Sequence, residues 1–213
     1  SYEKTWLGSL CGMTSYQQLL EDVEEALDMG ITNIVMDVDS GGGSAYALLS
    51  TAEAIRKKVD EYGAKLIVYV DGMSASAAYG LSAIADEIIM HPDAQVGSVG
   101  VVIRLMDSSE AMKKEGYKPV YITSAKSKVP FDADGGFKKE FIDELQASVD
   151  DLHKRFVTHV ATHRELSYEA VNDTQAKVFG ADKALEIGFA DKVMDHDQFA
   201  EYLISLNESQ EVR

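Results

Sequence analysis

Apolar residues recur along this chain at two periods. Leu19, Leu20, Val23, Ala26 and Leu27 repeat at helical spacing between Thr14 and Gly30, predicting an amphipathic helix opened by the capping-box pattern Thr14-Ser15-Tyr16-Gln17. The β-branched run from Ile31 to Val38 predicts a buried strand that enters a glycine-rich turn, DSGGG, at 39–43. A helix over 45–62 and a second strand over Lys65–Val70 follow. That strand ends at DGMSASAAYGLSAIADEI (71–88), read as a strand-to-helix junction whose helix lasts to about Ala85. Further strands are predicted at 87–90, 97–103, 119–123 and 190–194, with helices near 108–116, 181–187 and 197–206. Residues 124–136 form a polar loop. Phe137, Phe141, Leu145, Val149, Leu152, Phe156 and Val160 step by fours and threes, the mark of a long amphipathic helix.

Alternating strands and helices predict an α/β fold with a mainly parallel sheet and a helical C-terminal portion. With no repeats and no linker, residues 1–213 read as a single domain, residues 1–13 and 207–213 being peripheral ends. A length of 213 residues and an apolar fraction of 46% suit a globular domain with a sizeable core. Lys and Arg number 20 against 36 Asp and Glu, a formal charge of −16. Such a surface repels phosphate backbones, which argues against nucleic acid as a partner. Cys11 is the only cysteine, so an intrachain disulfide or thiolate metal cluster is impossible. No apolar run has the length of a membrane span.

Ligands of open α/β sheets bind at the carboxyl ends of strands. Here two successive strands end in small-residue turns, DSGGGS at 39–44 and DGMSAS at 71–76. Glycines at 41–43 let backbone N–H groups face a site, as in an oxyanion pocket; a plain turn is the alternative reading. Neither phosphate-loop pattern fits. Ser74, Ser76 and Ser82 are candidate nucleophiles, and a nucleophilic serine needs a base. The histidines form no evident triad. His159 and His163 lie at i, i+4 on one helix, but Val160 stands where a zinc protease helix carries glutamate, so both read as solvated. Asp37 and Asp39 alternate along a strand; Asp39 is expected to hydrogen-bond the glycine turn. Lys126 and Lys128, just past a strand end, can act as bases only if desolvated.

Six segments in order, MTSYQQLLEDVEEAL, IVMDVDSGGG, DGMSASAAYGLSAIADEI, VGSVGVV, ITSAKSK and ADKALEIGFADKV, resemble the serine–lysine peptidases of the signal peptide peptidase A (protease IV) family. The likeness is strongest to phage prohead, or head-maturation, proteases. It implies the Clp protease/crotonase fold. It assigns Ser76 as nucleophile and Lys128, 52 residues beyond it, as general base, with Lys126 the competing lysine. Gly42 or Gly43 and the N–H of Ala77 form the oxyanion hole, and Ser98 lies along the substrate cleft. The chain departs from the family pattern at Gly41, where the family has proline, and at Ala77 and Ala78, where it has glycine.

The resemblance further implies a serine endopeptidase without metal or cofactor, acting on protein substrates that include capsid scaffold proteins and itself. It implies a soluble protein inside a procapsid in the host cytoplasm, assembled as a homo-oligomeric ring in which Lys128 can serve a neighbouring subunit. A further strand segment is expected ahead of the chain, which opens on Ser1, and scaffold sequence after it. The alternatives are a cellular signal peptide peptidase lacking its anchor, a crotonase-type acyl-CoA enzyme, and a non-catalytic assembly protein of the same fold.

Overall fold

The computed structural model describes residues 14–211; Cys11 and the predicted N-terminal end lie outside them. At the centre of the sheet is β2 (Lys65–Ala75), 11 residues long. Strand β1 (Asn33–Ser40) runs parallel to it from Asn33↔Lys65 to Val38↔Val70, and its register shifts before Ser40↔Ser74. On its other side β2 changes neighbour part-way along. Ile67–Val70 pair with β3 (Glu87–Met90), and Met73–Ala75 pair with β4 (Gln95–Gly97), both in parallel. The sheet ends in antiparallel β5 (Val178–Gly180) beyond β4 and parallel β6 (Lys192–Val193) beyond β3. The change of neighbour leaves the carboxyl end of β2 at the kind of switch point where α/β sheets bind ligands.

The unbroken apolar run of β2 has a physical cause, since both of its faces are covered. Leu66, Val68 and Val70 are buried in the main core with Val23 and Leu27 of α1 (Tyr16–Asp28), Ile55 and Val59 of α2 (Leu48–Glu61), Tyr79 of α3 (Ala77–Ser82), and Phe156 and Val160 of α5 (Lys139–His163). Ile67 and Tyr69 face the other way, under Phe199 and Tyr202 of α8 (His196–Glu211). The Tyr69 and Phe199 rings stack with centroids 4.1 Å apart. Burying side chains of this size is worth about 2 kcal/mol each, which is why so short a sheet can hold its helices.

Several boundaries differ from the sequence expectation. Ser15, not Thr14, caps α1, its hydroxyl accepting from the Gln18 N–H. β2 runs five residues past Val70, through the small residues read as a helix approach. β4 stops at Gly97, and no strand forms at 98–103 or 119–123. A strand needs a partner edge for its amides and carbonyls, and among the described residues neither segment has one. Helix α6 (Tyr168–Asn172) and β5 were not anticipated; both are too short to impose a period. α7 (Ala181–Glu186) and β6 stand where expected, while α8 continues past Leu206.

The chain forms two compact units. One comprises residues up to Gly100 together with those from Phe156 onward, and the other is Val101–Arg155. The second holds α4 (Ser109–Lys114), a 3-10 turn at Lys126–Lys128, the start of α5 and an aromatic row. In that row Tyr121, Phe131, Phe137 and Phe141 follow one another at 5.1–5.9 Å. Every residue of this unit is at least partly exposed. No described helix is long and apolar enough to cross a membrane.

Candidate active site

Ser76 ends β2 and immediately precedes α3. Its backbone is held at φ 54°, ψ −123°, in a region an L-residue rarely adopts. Two bonds hold it there: its N–H donates to the Gly97 carbonyl (2.8 Å), and its carbonyl accepts from the Gly80 N–H (3.0 Å). Its side chain makes no capping bond to α3. Strain fixed by the surrounding backbone at one half-exposed serine is a pattern associated with reactive positions.

The glycine turn lies directly against this residue. A Cβ on Gly42 would come within 2.7 Å of the Ser76 Cβ, 2.8 Å of the Ala75 oxygen and 3.1 Å of the Ala77 nitrogen, and Gly42 sits at φ +107°. Both facts require glycine there. Gly43 has open space around it and an ordinary φ. The Gly42 N–H donates to Ser40 Oγ (3.2 Å), whereas the Gly43 N–H has no acceptor among the described residues. The Ala77 N–H is the first of α3 and so has no acceptor within the helix. Gly41 would meet only Met73 Sδ, at 3.9 Å, so the loss of the family proline leaves no steric trace.

Contrary to the sequence expectation, Asp39 bonds β2 and not the glycine turn. Its Oδ1 accepts from the Met73 N–H (3.0 Å), and its carboxylate lies where a Cβ on Gly72 would come within 2.5 Å of it. The carboxylate thus bridges the break in register between β1 and β2, and requires glycine at 72. Ser74 and Ser82 are fully buried and bond each other through their hydroxyls (2.8 Å), Ser82 Oγ also donating to the Ala78 carbonyl. They pack α3 onto β2, and their burial leaves neither hydroxyl open to a substrate.

Ser98 follows Gly97, at φ 56°, its N–H donating to the Lys177 carbonyl (2.8 Å). Register Ala75↔Gly97 puts it next to the strand end that carries Ser76. The Gly97 carbonyl, as the acceptor that seats Ser76, was not anticipated; its φ of +128° is the only signal, and a lone glycine does not reveal its φ. Lys126 and Lys128 both lie on the 3-10 turn of the second unit and both are exposed. Lys138 Nζ holds that turn by donating to the Lys126 (3.0 Å) and Val129 (2.8 Å) carbonyls.

His159 is not solvated but 7% exposed, its Nε2 2.8 Å from the Gly80 carbonyl and its Nδ1 3.3 Å from Glu53 Oε1. Burial pushes its pKa down, against the opposing effect of the Gly80 bond. His163 Nε2 reaches the same Glu53 oxygen at 2.9 Å.

Residues 58–209 match the sequence profile of Peptidase family S49. The curated relatives include "Putative protease MJ0651" of Methanocaldococcus jannaschii, 34% identical over 84% of this chain and 56% of its own length. Capsid assembly protease C of Escherichia phage lambda is 25% identical, over 86% of this chain and 42% of its own. Protease 4 of Haemophilus influenzae is 26% identical, over 78% and 27%. The chain therefore spans about half the length, or less, of the curated relatives it matches. A profile match that takes in the strained serine, the β4 turn and the lysine turn alike leads to one assignment: the chain belongs to peptidase family S49.

Proposed function

We propose that the protein is a serine endopeptidase of the Clp protease/crotonase fold, with Ser76 as nucleophile and Lys128 as general base. The observation that carries this reading is the strained backbone of Ser76, packed against a glycine turn that admits no side chain. Neutral Lys128 Nζ takes the Ser76 Oγ proton as the oxygen attacks a peptide carbonyl. The Ala77 N–H and one from the glycine turn, Gly43 rather than Gly42, hold the oxyanion. As the C–N bond breaks, Lys128 returns the proton to the leaving amine. Water then hydrolyses the acyl-enzyme with the same lysine as base. Each oxyanion donor is worth ~3 kcal/mol of barrier. Lys126 is the alternative base, and Ser98 is proposed to line the cleft.

A lysine is neutral near pH 7 only when desolvated, and both lysines are exposed here. Desolvation must then come from bound substrate and from a second subunit. Exposed apolar side chains at Val102, Met106, Val120 and Ile122, in a unit without a buried residue, support such an assembly. A homo-oligomeric ring in which Lys128 serves an adjacent Ser76 accounts for both observations. The substrates we propose are capsid and scaffold proteins, by likeness to the lambda protein named capsid assembly protease. A cellular signal peptide peptidase is the second reading, favoured by the likeness to the "Putative signal peptide peptidase" of Enterococcus faecium.

The test is cleavage of an unfolded protein substrate, read by mass spectrometry alongside sedimentation. Ser76→Ala should abolish cleavage and leave the circular dichroism spectrum unchanged. Retained cleavage would sink the nucleophile assignment, and a monomer that cleaves at full rate would sink the assembly.

A further inference from the structure

We infer that Glu53, His159 and His163 form a binding site for one divalent transition-metal ion, zinc by the chemistry of its donors. Each residue offers one ligand atom, and the three atoms lie within 4.8 Å of one another. Two of the separations are 3.3 Å and 2.9 Å, against about 3.3 Å between ligands of a tetrahedral zinc ion with bonds near 2.0 Å. The remaining separation, between the two histidine nitrogens, is within 4.8 Å and closes by a small rotation of the partly exposed His163 ring.

Three features distinguish this group from an ordinary surface ion pair. The Gly80 carbonyl can only accept, so its 2.8 Å contact places a proton on His159 Nε2. In the neutral ring Nδ1 then presents a lone pair to a carboxylate oxygen, and a cation between them turns this repulsion into coordination. The carbonyl is also the outer partner that metal-bound histidines characteristically have, fixing both tautomer and ring plane. Finally, the site is buried on one side and open on the other: His159 is enclosed, whereas Glu53 faces solvent. A water would complete a two-histidine, one-carboxylate set.

The ligands come from α2 and α5, which close around α3 at Gly80. A Cβ there would meet Phe156 at 2.9 Å and Leu48 at 3.0 Å. An ion at this point ties the two helices together across the helix that begins after Ser76.

The test uses the whole chain, freed of metal by dialysis against chelator and titrated with Co2+, then with Zn2+ in competition. One equivalent of cobalt should give the intense visible bands of a tetrahedral site, and zinc should displace it and raise the melting temperature. Glu53→Gln and His163→Ala, both at positions with solvent access, should fold normally and bind at least about tenfold more weakly. Absence of binding would show that the three side chains are bridged by a proton only and overturn the site. Bands that persist in the Glu53→Gln/His163→Ala double variant would place the ion elsewhere and overturn it as well.

Discussion

Gly42 and Gly43 look equivalent in the sequence but are not equivalent in space. At Gly42 a methyl group would collide with Ser76, Ala75 and Ala77, and the backbone is in the left-handed region; at Gly43 neither constraint applies. On the proposed mechanism, Gly42→Ala should therefore displace the turn from the proposed nucleophile Ser76 and lower peptidase activity by on the order of 100-fold, the effect of losing an oxyanion donor. Gly43→Ala keeps its N–H and should retain most activity. Measuring kcat/KM for the two variants side by side separates them, and equal losses would contradict the packing described here. The small residues of the sequence left Ser74, Ser76 and Ser82 as candidates, and only the family resemblance singled out Ser76. Its strain was not legible there, because the bond that seats it comes from Gly97, a residue distant in sequence.

At the level of elements, the partly buried carboxylate of Glu87 helps fasten α8 to the sheet. Glu87 of β3 accepts from Lys192 (2.6 Å) and from the Tyr202 hydroxyl, with Lys65 3.5 Å away. Burial would raise the Glu87 pKa, but the bonds from Lys192 and Tyr202 and the two lysine charges outweigh it and hold it below the ordinary 4.5. Burial and the bond to Glu87 push the Tyr202 hydroxyl up to about 12. A lowered folded pKa stabilises above the unfolded value, and that stability is lost as pH falls through the folded one. Thermal melts should thus lose stability below about pH 4.5. Glu87→Gln should remove that part of the acid dependence and cost about 1–2 kcal/mol at neutral pH. An unchanged acid limb in the variant would refute the assignment.

β2 and α5 were legible because their apolar side chains repeat over many residues. The predicted strands at 97–103 and 119–123 carried the same β-branched signal but lack a pairing edge, a condition no local pattern encodes. His159 was misread as solvated for a related reason: the faces of α5 are assigned by what packs there, and Gly80 arrives from another helix.

For the whole molecule, family membership and the alternating α/β architecture agree, and the proposed chemistry depends on bringing Ser76 and Lys128 together. The proposed ring rests on the second unit, which has no buried residue and several exposed apolar ones. The most direct measurement is labelling with a fluorophosphonate probe, mapped by peptide mass spectrometry on the wild type and on Lys128→Ala. A single adduct is expected on Ser76 in the wild type and none in Lys128→Ala, with both proteins folded. An adduct on another serine, or equal labelling of Ser76 without Lys128, would contradict the proposed dyad.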